Sequence, residues 1–570
     1  MWAIAGLGVW GLACGEPPAL PALPPSVDEF ASDPALLALQ GAAEGLSYAG
    51  PDDHLSPVGV YLDDGSIWVW SASQPRRVGR HGGPIQAKAP APTRRCGPGF
   101  CVGAREIVWR GTRIRGWFRD GAPHGDHFYA LTRDALLTFD DQGIELARTA
   151  VPTAYRLGQM GAALWVLGGD PELTVVPLDP SGLPGDPVTL QRTAPLRDAA
   201  WDGERLWTVG PLDTPVRRDG GPVRDLRTEV TALAGSDLLQ GRLRVLERHD
   251  WGELAIDGTR IVAEHGVVRA TATGSGHVWT LSQGVVTVQE TCATPSGVAL
   301  DGPDAWIVSC RLDDAVAHSN GVVIPLDDTP RDTLADAGER LFYQVGLWPD
   351  TTFTCNSCHW DGSTDHRLQP GFEERRWELT RPVAGTGALS PIFSPGQSPD
   401  LAHAVEGLVR VLDPRAWSDP RGGWWAEPRT IRTDSGTRTL TALQVREALL
   451  RWILGLGLEP PFVETQVAPA SLALFVDECT HCHQPVADLH TRTPQSPETR
   501  PLVWAAPLFA KVGPPPFTDR GNRVSPLTNL ARGGPYFTDG SARTLEDVVR
   551  AKGDYSDDQV AMLVEVLLSL

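Results

Sequence analysis

A phrase recurring through the first 325 residues constrains this chain more than any other feature. A Gly is followed, three or four residues later, by a large residue that opens a short β-rich run. It occurs as DGSIWVW (Trp68), GDHFYAL (Tyr129), GAALWVL (Trp165), DGERLWTV (Trp207), DGTRIVA (Val262), GHVWTL (Trp279) and DGPDAWIV (Trp306). Several intervals fall near 40 residues, as from 165 to 207 and from 262 to 306. A Gly turn and one aromatic every ~40 residues is what a four-stranded propeller blade requires. Runs such as VVTVQE and LTVVPLD carry the β-branched residues of strands. Residues 46–326 therefore read as an all-β, propeller-like domain, in competition with a pair of β-sandwiches built on core tryptophans. Irregular spacing between Trp207 and Trp306 leaves the blade number open. His249, His265, His277 and His318 read as surface or hydrogen-bonded histidines, so the domain suits docking or shielding.

A length of 570 residues calls for two to four domains. The 60 Gly, 50 Pro and 20 Trp favour turn-rich β structure over long helices. A net charge of −20 argues against nucleic acid or an anionic membrane surface as partner. The opening MWAIAGLGVWGLACGEPP suits the apolar core of a secretory signal and is short for a membrane span. Ala13 before Cys14 resembles a bacterial lipoprotein cleavage site. Gly11 in place of a branched apolar residue, and the lack of a preceding Lys or Arg, depart from that pattern. Residues 1–14 are thus expected to be an export segment, and 15–45 a Pro-rich spacer; a signal without lipidation and a misplaced start are the alternatives. The expected location is the periplasm or cell envelope, with membrane contact only through a lipid on Cys14.

Nine cysteines suit an oxidising compartment. Beyond Cys14, Cys96 with Cys101 and Cys292 with Cys310 are candidate disulfide pairs by parity. Four remain. From Asp327-Asp328-Thr329-Pro330 onward the pattern changes, and DTLADAGERLFYQ has apolar residues at helical spacing with Asp332 or Thr333 placed to cap it. Cys355-Asn-Ser-Cys358-His359 follows, and Cys479-Thr-His-Cys482-His483 repeats it behind the helix-like SLALFVDE. C-x-x-C-H is the haem c attachment signature: two thiols bond the vinyl groups and the next histidine binds the iron. A four-thiolate zinc site would join pairs 124 positions apart and needs no following histidine. A thioredoxin-like pair would want a βαβ setting and would occur once. Two covalently attached haem c groups are therefore expected, on Cys355, Cys358 and His359, and on Cys479, Cys482 and His483.

The stretch SPLTNLARGGPYFTDGSARTLEDVV, Ser525 to Val549, closely resembles a segment of the bacterial di-haem cytochrome c peroxidase and MauG-type family. The likeness spans about residues 333–570, including GERLFYQ and the closing SDDQVAMLVEVLLSL. It implies a mainly α di-haem module of two cytochrome c-like domains, 331–465 and 466–570, behind the propeller-like one. In that family the first haem reacts with peroxide and the second supplies electrons. Several matching positions are altered: Thr538 stands where the family has a histidine, Thr528 where it has an arginine, and Ser394 where its inter-haem tryptophan is expected. Asp413 is the nearest match to its glutamate. Lys552 occupies the place of the second haem's distal Met or Tyr, with Tyr555 close by. Met562 falls in an apolar helical pattern that suits packing. His366 and His403 are further candidate distal ligands.

Two functions follow. One is a peroxidase-like oxidoreductase moving electrons between the two haems and hydrogen peroxide or a partner substrate, with its catalytic residues unassigned. The other is a non-catalytic electron-transfer cytochrome whose propeller docks a redox partner protein.

Overall fold

Seven four-stranded antiparallel sheets follow one another along the first 325 residues. The computed structural model describes residues 56–63, 66–71, 75–79, 82–86, 93–169, 171–192, 194–212, 215–218, 221–224, 227–252, 255–327, 329–345, 353–370, 377–384, 401, 404–405, 429–433, 436–456, 467–479, 483, 509–510, 522–523, 527, 530 and 534–569. The export segment, the spacer and Cys14 lie outside them.

Each sheet takes its four strands from one contiguous stretch, and its first strand is innermost. These inner strands begin at Gly59, Thr93, Asp120, Ala154, Asp198, Gly258 and Pro295. Each packs beside the next and the last packs beside the first, which closes a seven-bladed β-propeller. Among the described residues no strand is exchanged between the ends of the ring, and side chains and backbone link them. Ser296 Oγ donates to the Pro57 carbonyl at 2.5 Å, and the Ser56 N–H donates to Asp314 at 2.6 Å. Gly297 lets the two blades meet, since a Cβ there would lie 2.6 Å from the Gly59 Cα.

The aromatic phrase now has a structural meaning. Trp68, Tyr129, Trp165, Trp207 and Trp306 sit on the second strand of their blades, and the last four are nearly fully buried. Trp165 pairs across to Gly158 of the inner strand, where a Cβ would overlap the indole. The irregular interval has two causes. The fifth blade carries an inserted hairpin, Pro215–Arg218 and Gly221–Arg224, and in the sixth blade Val262 falls on the first strand and Trp279 on the third.

Aspartates on the inner strands tie neighbouring blades together. Asp120 accepts from Arg95 of the blade before at 3.1 Å and from the Leu157 N–H of the blade after at 3.0 Å. Asp198 repeats this with Arg156 at 2.9 Å and the Ile261 N–H at 3.2 Å. Both disulfides form, Cys96–Cys101 within the second blade and Cys292–Cys310 within the seventh.

The second half corrects the fold expectation. The chain is mostly β, and its described residues after 326 do not make a mainly α module of two cytochrome c-like domains. Short helices, Leu334–Tyr343, Cys355–Cys358, Ala442–Gly455, Pro469–Cys479, Leu545–Arg550 and Asp557–Ser569, are interspersed with three two-stranded hairpins. The physical reason lies between the helices: Thr- and Arg-rich stretches such as Arg429–Thr433 and Gly436–Leu440 pair as strands, as β-branched runs around a Gly turn do. The likeness to a helical family rested on short segments that fix only local turns.

Two small cores hold the helices. Thr333, the observed cap of Leu334–Tyr343, forms a capping box with Asp336. That helix packs against Ala442–Gly455 through Leu334, Leu341, Val445 and Leu449. Phe475 of Pro469–Cys479 packs with Leu545, Leu563 and Leu567, and with Trp117 of the propeller. Arg331, 1% exposed, joins the first helix to the last blade by ion pairs to Asp314 at 2.7 Å and Glu339 at 2.6 Å. No helix among the described residues is long and apolar enough to cross a membrane.

Candidate functional site

The first C-x-x-C-H segment is a single helical turn set against one end of the propeller channel. Thr354 caps it through a box with Ser357, which fixes Cys355 and Cys358 one turn apart. Its two middle residues face the propeller and are almost fully buried. Asn356 Nδ2 donates to Asp257 at 2.9 Å, and Arg197 donates to the Asn356 carbonyl at 2.7 Å while pairing with Asp257 at 2.7 Å. The Arg197 guanidinium also lies 4.6 Å from the Trp360 ring centre. These polar anchors leave the thiols to a different surface: Cys355 packs against the helix core with Phe342, Tyr343 and Trp452. Neither cysteine is in a disulfide. Burial pushes the Cys355 thiol up to about 12, and burial followed by Asp365 raises Cys358 further.

His359 is held by its Nδ1, which donates to the Arg381 carbonyl at 2.9 Å. That contact fixes a proton on Nδ1, and the Ser363 backbone is a second hydrogen-bonding neighbour of the ring. Burial keeps the imidazole below its usual range and hence neutral near pH 7. Arg381 in turn donates to Thr538 Oγ1 at 2.9 Å, so the PYFTDG segment supports the first motif. A neutral imidazole with an anchored Nδ1, beside two thiols that are one turn apart and outside any disulfide, fits the donor set of a haem c. The second motif repeats the backbone geometry: the His483 N–H bonds the Cys479 carbonyl at 2.9 Å, as the His359 N–H bonds Cys355 at 3.0 Å. Cys482 lies outside the described residues. Among those described, no group of three or more His, Cys, Asp or Glu is arranged to hold a metal.

The candidate distal ligands separate. His366 is turned into the propeller channel, its ring stacked on Tyr155 with centroids 6.0 Å apart; burial and the Arg119 charge push its pKa down to about 4. Lys552 is exposed, with Nζ 5.0 Å from the Phe537 ring centre. Tyr555 is brought to the second motif, its hydroxyl donating to Glu478 at 3.1 Å, and burial followed by Glu478 raises it to about 12. His403, Ser394, Thr528 and Asp413 lie outside the described residues.

A cavity of ≈470 Å³ fills the channel beneath the first motif. Trp360 and Asn356 line it, whereas Cys355, Cys358 and His359 do not. Six arginines reach its wall, five of them from the propeller's inner ring. Reading for motifs missed them, although Arg119, Arg156, Arg197 and Arg260 recur at or next to the start of successive inner strands. That periodicity was the available signal.

No family model matches the chain, and no curated protein matches it. Among solved structures it is similar to the WD40 domain of Neurospora crassa Pan2, at 12% identity over 49% of this chain and 92% of that one, with a TM-score of 0.35. It is also similar to virginiamycin B lyase of Staphylococcus aureus, at 10% identity over 50% and 89% of the two chains, with a TM-score of 0.30. For U3-55K the values are 10%, 48% and 97%, with a TM-score of 0.35.

Proposed function

We propose that this chain is an exported di-haem c-type cytochrome of the peroxidase-like, MauG-related kind, carried on a β-propeller in the periplasm or cell envelope. The observation that supports it most is the hydrogen bond from His359 Nδ1 to the Arg381 carbonyl. A proximal histidine needs one nitrogen anchored and the other free, and a surface histidine needs neither. Cys355, Cys358 and His359 would hold one haem, and Cys479, Cys482 and His483 the other. Such groups supply one-electron chemistry at iron, tuned by axial ligands and burial.

The chain's own residues do the positioning. Asp257 and Arg197 clamp the turn between the two cysteines, and Arg381 sets the His359 ring plane. Trp360, with its Nε1 donating to the Ser357 carbonyl at 3.1 Å, stands between the motif and the channel. Hydrogen peroxide or a redox partner protein is the expected reactant, and a lipid on Cys14 the expected membrane tether.

A second reading is an electron-transfer cytochrome with the propeller as docking module. Asp413, the nearest match to the glutamate that assists peroxide cleavage, lies outside the described residues, while the contacts of His366 with Tyr155 and of Lys552 with Phe537 do not favour this reading over the first.

Haem stoichiometry by pyridine haemochrome, on protein made with a cytochrome c maturation system, tests the shared premise. Two haems per chain are expected; none, or one, overturns it. Paramagnetic resonance of the ferric protein then divides the readings. A high-spin iron that reacts with peroxide supports the enzyme, and two unreactive low-spin irons support the relay.

A further inference from the structure

The channel cavity gathers charge that the rest of the molecule does not. In a chain of net charge −20, six arginines line this single space: Arg94, Arg119, Arg156, Arg197, Arg260 and Arg311. Among the described residues one carboxylate, Asp361, lines it with them, and that group is engaged by Arg311 at 2.8 Å and the Tyr343 hydroxyl at 3.0 Å. Three of the arginines have carboxylate partners behind the wall: Arg156 on Asp198, Arg197 on Asp257, and Arg311 on Glu339. Arg260 is different. Among the described residues no carboxylate stands within ion-pair distance of its guanidinium, and burial together with the neighbouring Arg156 cation pushes its pKa down to about 10. Thr259, Thr273 and Ser296 lie on the same wall.

A partly buried cation with no carboxylate beside it is stabilised when a mobile anion reaches it. Guanidinium is the side chain best shaped for two-point contact with carboxylate or phosphate oxygens. A low-dielectric cavity with one sign of charge on its wall concentrates such anions. The space matches ligand pockets of ~300–1,000 Å³, and Trp117, Tyr155 and Trp360 give it flat apolar faces for an organic body.

We infer that the propeller channel beneath the first motif is a binding site for a small organic oxyanion, a carboxylate or phosphate ester, with Arg260 as its principal unpaired charge. The site stands on the propeller's own residues and does not depend on either haem.

Titration of the full-length protein by calorimetry and thermal shift at fixed ionic strength tests this, with citrate and glucose 6-phosphate as anions, inorganic phosphate as the minimal group, and glucose as the neutral control. Saturable binding of citrate or glucose 6-phosphate, with a raised melting temperature and no response to glucose, is the expected result. Arg260→Met is expected to weaken that binding about 10-fold or more while leaving the anion-free protein no less stable. No saturable response to any anion overturns the inference. So does an Arg260→Met variant that melts lower yet binds as tightly, since Arg260 would then be only a counter-ion for Asp198 and Asp361. Because the haems are counted separately, a failure here leaves the haem assignment untouched.

Discussion

His359 donates its Nδ1–H to the backbone carbonyl of Arg381, 22 positions away, at 2.9 Å. The same arginine reaches with its side chain to Thr538, 157 positions further on. One residue therefore couples the ring that would face an iron to a loop from the far end of the chain. There the Thr538 hydroxyl accepts a hydrogen bond for structure, and the Thr538 carbonyl accepts the Leu379 N–H at 2.7 Å.

Replacing Thr538 with Val removes the acceptor for a charged donor in a site only 7% exposed. The expected cost is about 1.5–3 kcal/mol, visible as a melting temperature lower by several degrees. Thr538→Ser keeps the hydroxyl and should recover most of the loss. Equal melting of all three proteins would show that the contact carries no weight.

Asp257 anchors the first motif from the propeller side, accepting from Arg197, Asn356 and, at 3.4 Å, Thr354. Asp257→Ala leaves the guanidinium of Arg197, 7% exposed, without its carboxylate. Breaking one side of a buried pair costs about 3–5 kcal/mol. The loss should be local as well as global: amide hydrogen exchange of residues 354–359 should accelerate more than that of the helix Ala442–Gly455. Uniform acceleration would mean that the motif does not depend on this clamp.

His366 gives the molecule a defined acid response. Its pKa falls to about 4 in the folded chain because of burial and Arg119, against ~6.5 unfolded. Between those values the unfolded chain binds the extra proton, so stability rises with pH across that window and is lost as pH falls through it. The full loss is on the order of 3 kcal/mol near pH 4, and the lowered pKa of His359 adds to it in the same direction. His366→Phe, which keeps a ring against Tyr155, should flatten the decline between pH 6.5 and 4 in denaturant titrations. An unchanged slope would place the acid sensitivity elsewhere.

The propeller was legible because five of the blades repeat one physical demand, a large aromatic on the second strand behind a Gly turn. The blade number was not. The second blade's corresponding strand is Phe100–Gly103, closed by a disulfide to Cys96 rather than by a Gly–aromatic phrase, and the fifth blade's inserted hairpin stretches the count. The C-x-x-C-H pattern stands out because it occupies five consecutive residues, and the structure sets its first copy as one capped helical turn. What orients that turn was not legible, since Arg197 reaches Asn356 across 159 positions and no local pattern encodes such a pairing. The expectation of a mainly α second half failed for the same reason: short motifs specify turns, and the segments between them chose hairpins.

The two disulfides should contribute unequally, and loop length says how. A cross-link stabilises chiefly by removing freedom from the unfolded chain, and more so for a longer loop. Cys96–Cys101 spans 5 positions and Cys292–Cys310 spans 18, which corresponds to about 2 and about 3 kcal/mol. The second bond has a structural reach beyond its entropy. Cys310 immediately precedes Arg311, whose guanidinium pairs with Glu339 of the first helix and with Asp361 beside the motif. Loosening Cys310 should therefore release the strand end that carries this bridge. Cys292→Ala with Cys310→Ala should lower the unfolding midpoint more than Cys96→Ala with Cys101→Ala, and it alone should speed amide exchange in the helix Leu334–Tyr343. If the two double variants melt together and that helix stays protected in both, the last blade does not hold the second half in place through Arg311.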